Sequence, residues 1–176
     1  MTAQSAGGQA VAAPADPSTL VPAPRPEDVS SPHAVTLALY DVISGDPGVK
    51  RDWNRFRSLF HPSALMIPTG KNAETGKIGA RIMTPEDYVN LSGPNLEKNG
   101  FHEREVAYRE DRYGNTAHIF TTYAARRTLS DPEPFMRGIN SIQFFNDGKR
   151  WWVLSITWSA ETPETPIPQE YMTSQK

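Results

Sequence analysis

Cysteine is absent from the 176 residues, which excludes disulfides, a thiolate nucleophile and any cysteine-ligated zinc site. Charge of one sign is also missing, since 18 Lys and Arg against 20 Asp and Glu leave a formal charge of −2. No basic field for nucleic acid follows from such a balance. No apolar run approaches the length needed to span a bilayer, and no apolar segment of signal-peptide type follows Met1. A soluble chain is expected, with neither nucleic acid nor membrane as partner. Phosphate-loop character is lacking as well. In Gly70-Lys71-Asn72-Ala73-Glu74-Thr75-Gly76-Lys77 the glycines are separated by one residue too many, and Ile78 stands where a magnesium-binding hydroxyl is required. His102 and His118 could meet as a cross-strand pair, but no third ligand has a metal-site spacing. No metal and no cofactor are expected.

A hydrophobic content of 38% over this length provides one core. The first thirty residues are rich in Ala, Pro, Gly, Ser and Gln without periodic apolar positions, and read as a disordered or extended leader over 1–30. The opening Thr-Ala-Gln-Ser-Ala-Gly-Gly-Gln-Ala has the flavour of the mature side of a signal-peptidase site. A periplasmic or secreted location is therefore one expectation, and a cytoplasmic chain with a flexible tail is the other. The domain is expected over 31–162, followed by a Pro-rich tail over 163–176 that wraps the domain or crosses to a second copy, with Ile167 and Tyr171 as anchors.

Within the domain, Ser30-Ser31-Pro32 is an N-cap and first-turn signature for a helix over about 32–43 that Gly45 stops, and Asp52 caps a second one ending at His61-Pro62. Short strands follow at Ala64–Ile67 and Ile78–Met83. Thr84-Pro85-Glu86-Asp87 then starts a third helix with a capping box, which Gly93-Pro94 is expected to interrupt. The remainder reads as four long strands, Phe101–Tyr113, Thr116–Leu129 and the two arms of a hairpin turning at Asn146-Asp147-Gly148. In the last arm, strict alternation puts Trp151, Val153, Ser155 and Thr157 on one face and Trp152, Leu154, Ile156 and Trp158 on the other, so both faces need covering. The expected fold is α+β, a cone-shaped curved antiparallel sheet wrapped around three N-terminal helices. A homodimer through the convex sheet face would cover its outside.

This order of elements, with Ala38-Leu39-Tyr40-Asp41-Val42-Ile43-Ser44-Gly45, the stretch from Asp52 to Gly70 and the hairpin from Asn146 to Trp158, resembles the nuclear transport factor 2-like (cystatin-like) superfamily. Within it the resemblance is to the SnoaL-like and steroid delta-isomerase-like group. It implies a pocket at the wide end of the cone, used for isomerisation, cyclisation, dehydration or plain binding. It also implies a carboxylate base just before the Pro of the Pro-x-Gly turn, where this chain has Ile67. An aliphatic side chain moves no proton, so the expectation is a domain that binds a small hydrophobic molecule without that base. The alternatives are a lyase or isomerase acting on a polycyclic or aromatic metabolite with another base, and a dimerisation or protein-interaction module.

Candidate catalytic groups are His61, at the end of helix two, and Tyr40, which the resemblance places as an oxyanion donor projecting into the cone. Candidate ligand-binding residues are Tyr40, Trp53, Phe56, Met66, Tyr88, Tyr123, Asn140 and Trp158, a large apolar wall with few polar anchors. Arg137 and Asn140 have opposite parity, so one of them points outward. Glu103, Glu105, Glu110 and Asp111, interleaved with Arg104, Arg109 and Arg112 and facing Arg126 and Arg127, read as a solvated surface of paired charges rather than an anion site.

Overall fold

The computed structural model describes residues 16–174, so the expected leader up to residue 15 lies outside the described residues. Its second half packs against the domain. Pro26–Val29 forms a turn of 3₁₀ helix, Val29 enters the core and Asp28 is buried beside it. Helix α1, Pro32–Ile43, begins where Ser31 accepts from the Ala34 N–H with Pro32 in the first turn. Helix α2, Trp53–Ser58, is capped by Asp52. It ends three residues earlier than the sequence suggests, because Phe60 is already paired with Val153.

Strand β1 therefore runs Phe60–Lys71, straight through Pro62. Pro62 is tolerated because the pairing breaks register between Phe60 and Leu65, where no ladder hydrogen bond is asked of it. β2, Ile78–Ala80, is a short exposed edge. Helix α3, Pro85–Asn99, keeps its capping box and continues past Gly93-Pro94 instead of stopping there. The missing side chain of Gly93 lets the Trp53 ring lie against the helix. Trp53 Nε1 donates to Glu97 at 3.0 Å and Lys50 pairs with the same carboxylate at 2.7 Å. These tertiary ties hold the last turn against the cost of an interior proline. Buried Arg51 donates to the Ile43 and Leu96 carbonyls, near the C-terminal ends of both α1 and α3, where a cation offsets the carbonyl ends of the dipoles.

Strands β3 (His102–Tyr113), β4 (Thr116–Arg126), β5 (Met136–Asn146) and β6 (Trp151–Ala160) complete one curved, unclosed sheet in the order β2-β1-β6-β5-β4-β3. All neighbours are antiparallel except β1 and β6, which are parallel. Two bulges change which residues face inward. In β6, Gln143 pairs with Ser155 but Phe144 pairs with Val153, so Leu154 is looped out. The core face consequently reads Trp151, Val153, then Ile156 and Trp158, not the strict alternation expected. Trp152 is fully buried on the other side of the strand, its Nε1 held by Asp147 at 2.8 Å. In β3 the corresponding bulge lies between Glu105 and Ala107.

The C-terminal segment wraps this chain's own sheet. Thr122 donates to the Tyr171 carbonyl at 2.6 Å, the Tyr171 ring packs edge-on against Phe120, and Arg109 lies 5.5 Å from its centre. A second copy docking on the outer face would meet this strap over β3 and β4 and bare strand only beyond it.

Candidate functional site

The space between the three helices and the inner sheet face is not filled. A cavity of about 380 Å³ remains, within the ordinary size of a small-molecule site. Its depth is formed by Tyr40 of α1, Phe56 of α2, Tyr123 of β4 and Ile142 of β5, all nearly inaccessible. Tyr88 lies parallel to Phe56 at 5.6 Å and perpendicular to Trp158 at 6.3 Å, giving one wall three aromatic faces. β1 contributes only Met66. Ile67 pairs with Thr157 on the following register position and does not line the cavity.

Among the expected ligand-binding residues, the structure places Tyr40, Phe56, Met66, Tyr88, Tyr123, Asn140 and Trp158 on the cavity wall. Trp53 is outside, its ring packed on Gly93 and its N–H on Glu97. His61 is outside as well. It lies on β1, accepts from the Ser63 N–H at 3.2 Å and packs edge-on against Trp152, because the strand begins before it and turns it away from the helices. His102 and His118 do not meet. Register pairs His102 with Arg126 and His118 with Asp111, and the two bond instead to Asp46 and Ser141. No group of three metal-ligating side chains occurs among the described residues. Arg137 points outward to Glu161 at 2.8 Å, while Asn140 is buried inside.

Sequence reasoning missed Glu103. It pairs with Ala125 on the inward register of β4, so it faces the cavity rather than solvent. The signal was present in the run Thr121-Thr122-Tyr123-Ala124-Ala125, too small and apolar to be the partner of a charged surface. Desolvation holds the Glu103 carboxyl up to about 8, although Asn140 donating at 3.4 Å partly offsets it. A shallow recess between α1 and β3, lined by Leu37, Asp41, Ser44 and Glu105, reaches the same residue from behind.

The hydrogen bonds around Tyr40 have a definite direction. Thr121 donates to Glu105 at 3.0 Å, and the other oxygen of Glu105 is held by His33 at 2.8 Å. Thr121 therefore accepts from Tyr40, at 3.1 Å, while the Tyr40 oxygen accepts from Asn140 at 3.0 Å. With its one proton turned toward Thr121, Tyr40 orients Asn140 and through it Glu103, and has no donor left for a ligand. The buried Tyr123 hydroxyl, in contrast, has no partner among the described residues. Burial, with the Glu103 charge second, raises its pKa, so it remains a donor. A buried hydroxyl left without a partner is uncommon in a folded protein.

Gly138, opposite Tyr123 in the sheet, makes this placement possible. A Cβ there would come within 2.5 Å of the Tyr123 oxygen and would overlap the Ser159 carbonyl. Gly138→Ala is expected to cost about 1–3 kcal/mol from overpacking and to push the Tyr123 ring into the cavity. Thermal melting of the variant would check it; an unchanged melting temperature would contradict it.

No family model matches the sequence, and no curated protein is similar to it. Solved structures do match. A protein of unknown function with a cystatin-like fold from Nostoc punctiforme superposes with a TM-score of 0.55 at 8% identity, over 74% of this chain and 89% of that one. A candidate dehydratase of the NTF2-like family from Streptomyces avermitilis gives 0.54 at 12%, over 77% and 96%. A candidate ketosteroid isomerase from Parabacteroides distasonis gives 0.50 at 13%, over 76% and 89%. The chain has the nuclear transport factor 2-like fold.

Proposed function

We propose that the cavity binds a small, largely apolar molecule bearing a carbonyl or hydroxyl oxygen, and that Glu103 exchanges a proton with it while Tyr123 donates a hydrogen bond to that oxygen. The observation carrying this reading is a single carboxyl, poised near neutrality, in the aromatic-walled part of the cavity, with the unpartnered hydroxyl of Tyr123, a residue of the same wall, as the nearest free donor. On a ketone, Glu103 as carboxylate takes a proton from the carbon next to the carbonyl. The C–H electron pair moves into the new carbon–carbon double bond, and the carbonyl oxygen gains negative charge against the Tyr123 hydroxyl. The protonated Glu103 then returns the proton to the same carbon or a neighbouring one. Isomerisation and elimination of water both begin with this step, and the fold neighbours include a candidate of each kind.

A second reading, binding without chemistry, is favoured by β1, which brings only Met66 to the wall. One experiment separates the two: solvent deuterium wash-in on a panel of bicyclic and polycyclic ketones, followed by mass spectrometry with protein and without it. Protein-dependent deuterium next to the carbonyl of a bound ketone supports proton exchange. Ketones that bind and stay unlabelled would leave a binding protein.

A further inference from the structure

The cavity is graded from end to end. Its depth is closed by aromatic side chains, whereas its mouth, between α3 and the segment joining β4 to β5, is lined by Leu91, Ser92, Asn95, Arg127 and Phe135, with Leu91 and Phe135 substantially exposed. Arg127 reaches this rim because Tyr123, Ala125 and Arg127 alternate onto one side of the chain. Its guanidinium makes no ion pair among the described residues. It lies 4.0 Å from the centre of the Phe135 ring, and its single hydrogen bond, to the Gly100 carbonyl, is a long 3.5 Å. Asp131, the acid close by in sequence, is taken by the backbone N–H groups of Arg127 and Thr128 and by the Thr128 hydroxyl. Also on this rim, the Asn95 oxygen accepts from Asn99, which leaves its amide NH₂ as the end offered to a ligand.

Resting on the binding reading above, we propose that the ligand is an amphipathic carboxylate, with its apolar body and reacting oxygen inside and its carboxylate held at the mouth by Arg127 with Asn95. A planar carboxylate matches the two parallel donors of a guanidinium. One cation at the rim neutralises one negative charge, which suits a monoanion better than a phosphate ester. Tyr123 and Arg127 are four residues apart on the extended chain, roughly 13 Å, so a body of about two fused rings or a medium chain bridges them. The neutral form of Glu103 adds no opposing charge within the cavity.

The test is calorimetric titration of the full chain with matched pairs: naphthalene-2-acetate against 2-naphthaleneethanol, and decanoate against decanol. The acid of each pair is expected to bind about five- to tenfold more tightly at low salt, an advantage that shrinks at high salt. Arg127→Ala should remove that advantage and leave the alcohols within about twofold, Arg127→Lys should retain part of it, and Arg126→Ala should retain all of it. Equal affinities for acid and alcohol, or an acid preference that survives Arg127→Ala, would overturn the carboxylate assignment while leaving the cavity a binding site. If neither member of either pair binds, the binding reading falls and the assignment with it.

Discussion

Glu103→Gln is expected to lower protein-catalysed deuterium exchange into a bound ketone by about 10²- to 10⁴-fold, the usual range for removing a general base, while ligand affinity changes little. The amide keeps the shape and the Asn140 contact but carries no exchangeable base. The pH profile of the wild-type protein should rise through a midpoint near pH 8, as the desolvated carboxyl ionises, and level off above it. Tyr123→Phe, removing the unpartnered hydroxyl, should lower the rate without shifting that midpoint. Stability changes in the opposite direction to activity. The folded-state pKa of Glu103 lies above the usual carboxylate value of 4.5, so between about 4.5 and 8 the unfolded chain holds fewer protons than the folded one. Stability therefore falls as pH rises through that window and is level above it. Glu103→Gln should abolish this slope and raise the melting temperature at pH 8 and above. A wild-type exchange rate in Glu103→Gln would remove the proposed chemistry; an unaltered stability slope would place the carboxyl in water.

Arg55→Ala is expected to destabilise the domain by about 3–5 kcal/mol, the usual cost of leaving a buried charge unpaired. Arg55 of α2 grips both oxygens of Asp28 at 2.7 and 2.8 Å and also bonds to Asp41 of α1. Asp28 is only 5% exposed, and it belongs to the turn that precedes α1. This cluster ties together the N-terminal segment, the helix carrying Tyr40 and the helix carrying Phe56. The Arg55 bonds, foremost, hold the Asp28 carboxyl below its ordinary value. Its contribution is therefore complete above about pH 4 and lost as pH falls through the lowered folded-state value. Denaturant unfolding of Arg55→Ala, Asp28→Asn and the double variant would measure the coupling. Additive losses would show that the pair is not a unit, and a loss below about 1 kcal/mol would show that solvent screens it.

The described N-terminal residues illustrate how far composition alone reaches. A Pro-rich stretch without apolar period reads as an unpacked leader, yet Asp28 and Val29 are buried, since one salt bridge and one aliphatic side chain suffice to dock a short turn. Helix α3 makes the same point from the other side. Pro94 is a local stop signal, and contacts from Trp53 and Lys50, some forty residues away in sequence, outweigh it.

The sequence by itself determined the element order, the helix caps at Ser31, Asp52 and Thr84, the Asp147-Gly148 turn and the α+β class, because these depend on interactions within a few residues. It also pointed to an apolar cavity wall rich in aromatic side chains. Only the tertiary structure decided which strand residues face that cavity. Bulges at Val106 and Leu154 reverse the parity of β3 and β6, and a reversal of one residue exchanges the two faces of a strand. Pairing register turned Glu103 inward and kept Arg127 at the rim, while the early start of β1 turned His61 away. Local pattern carries side-chain alternation, but its phase is set by hydrogen-bonded partners far along the chain.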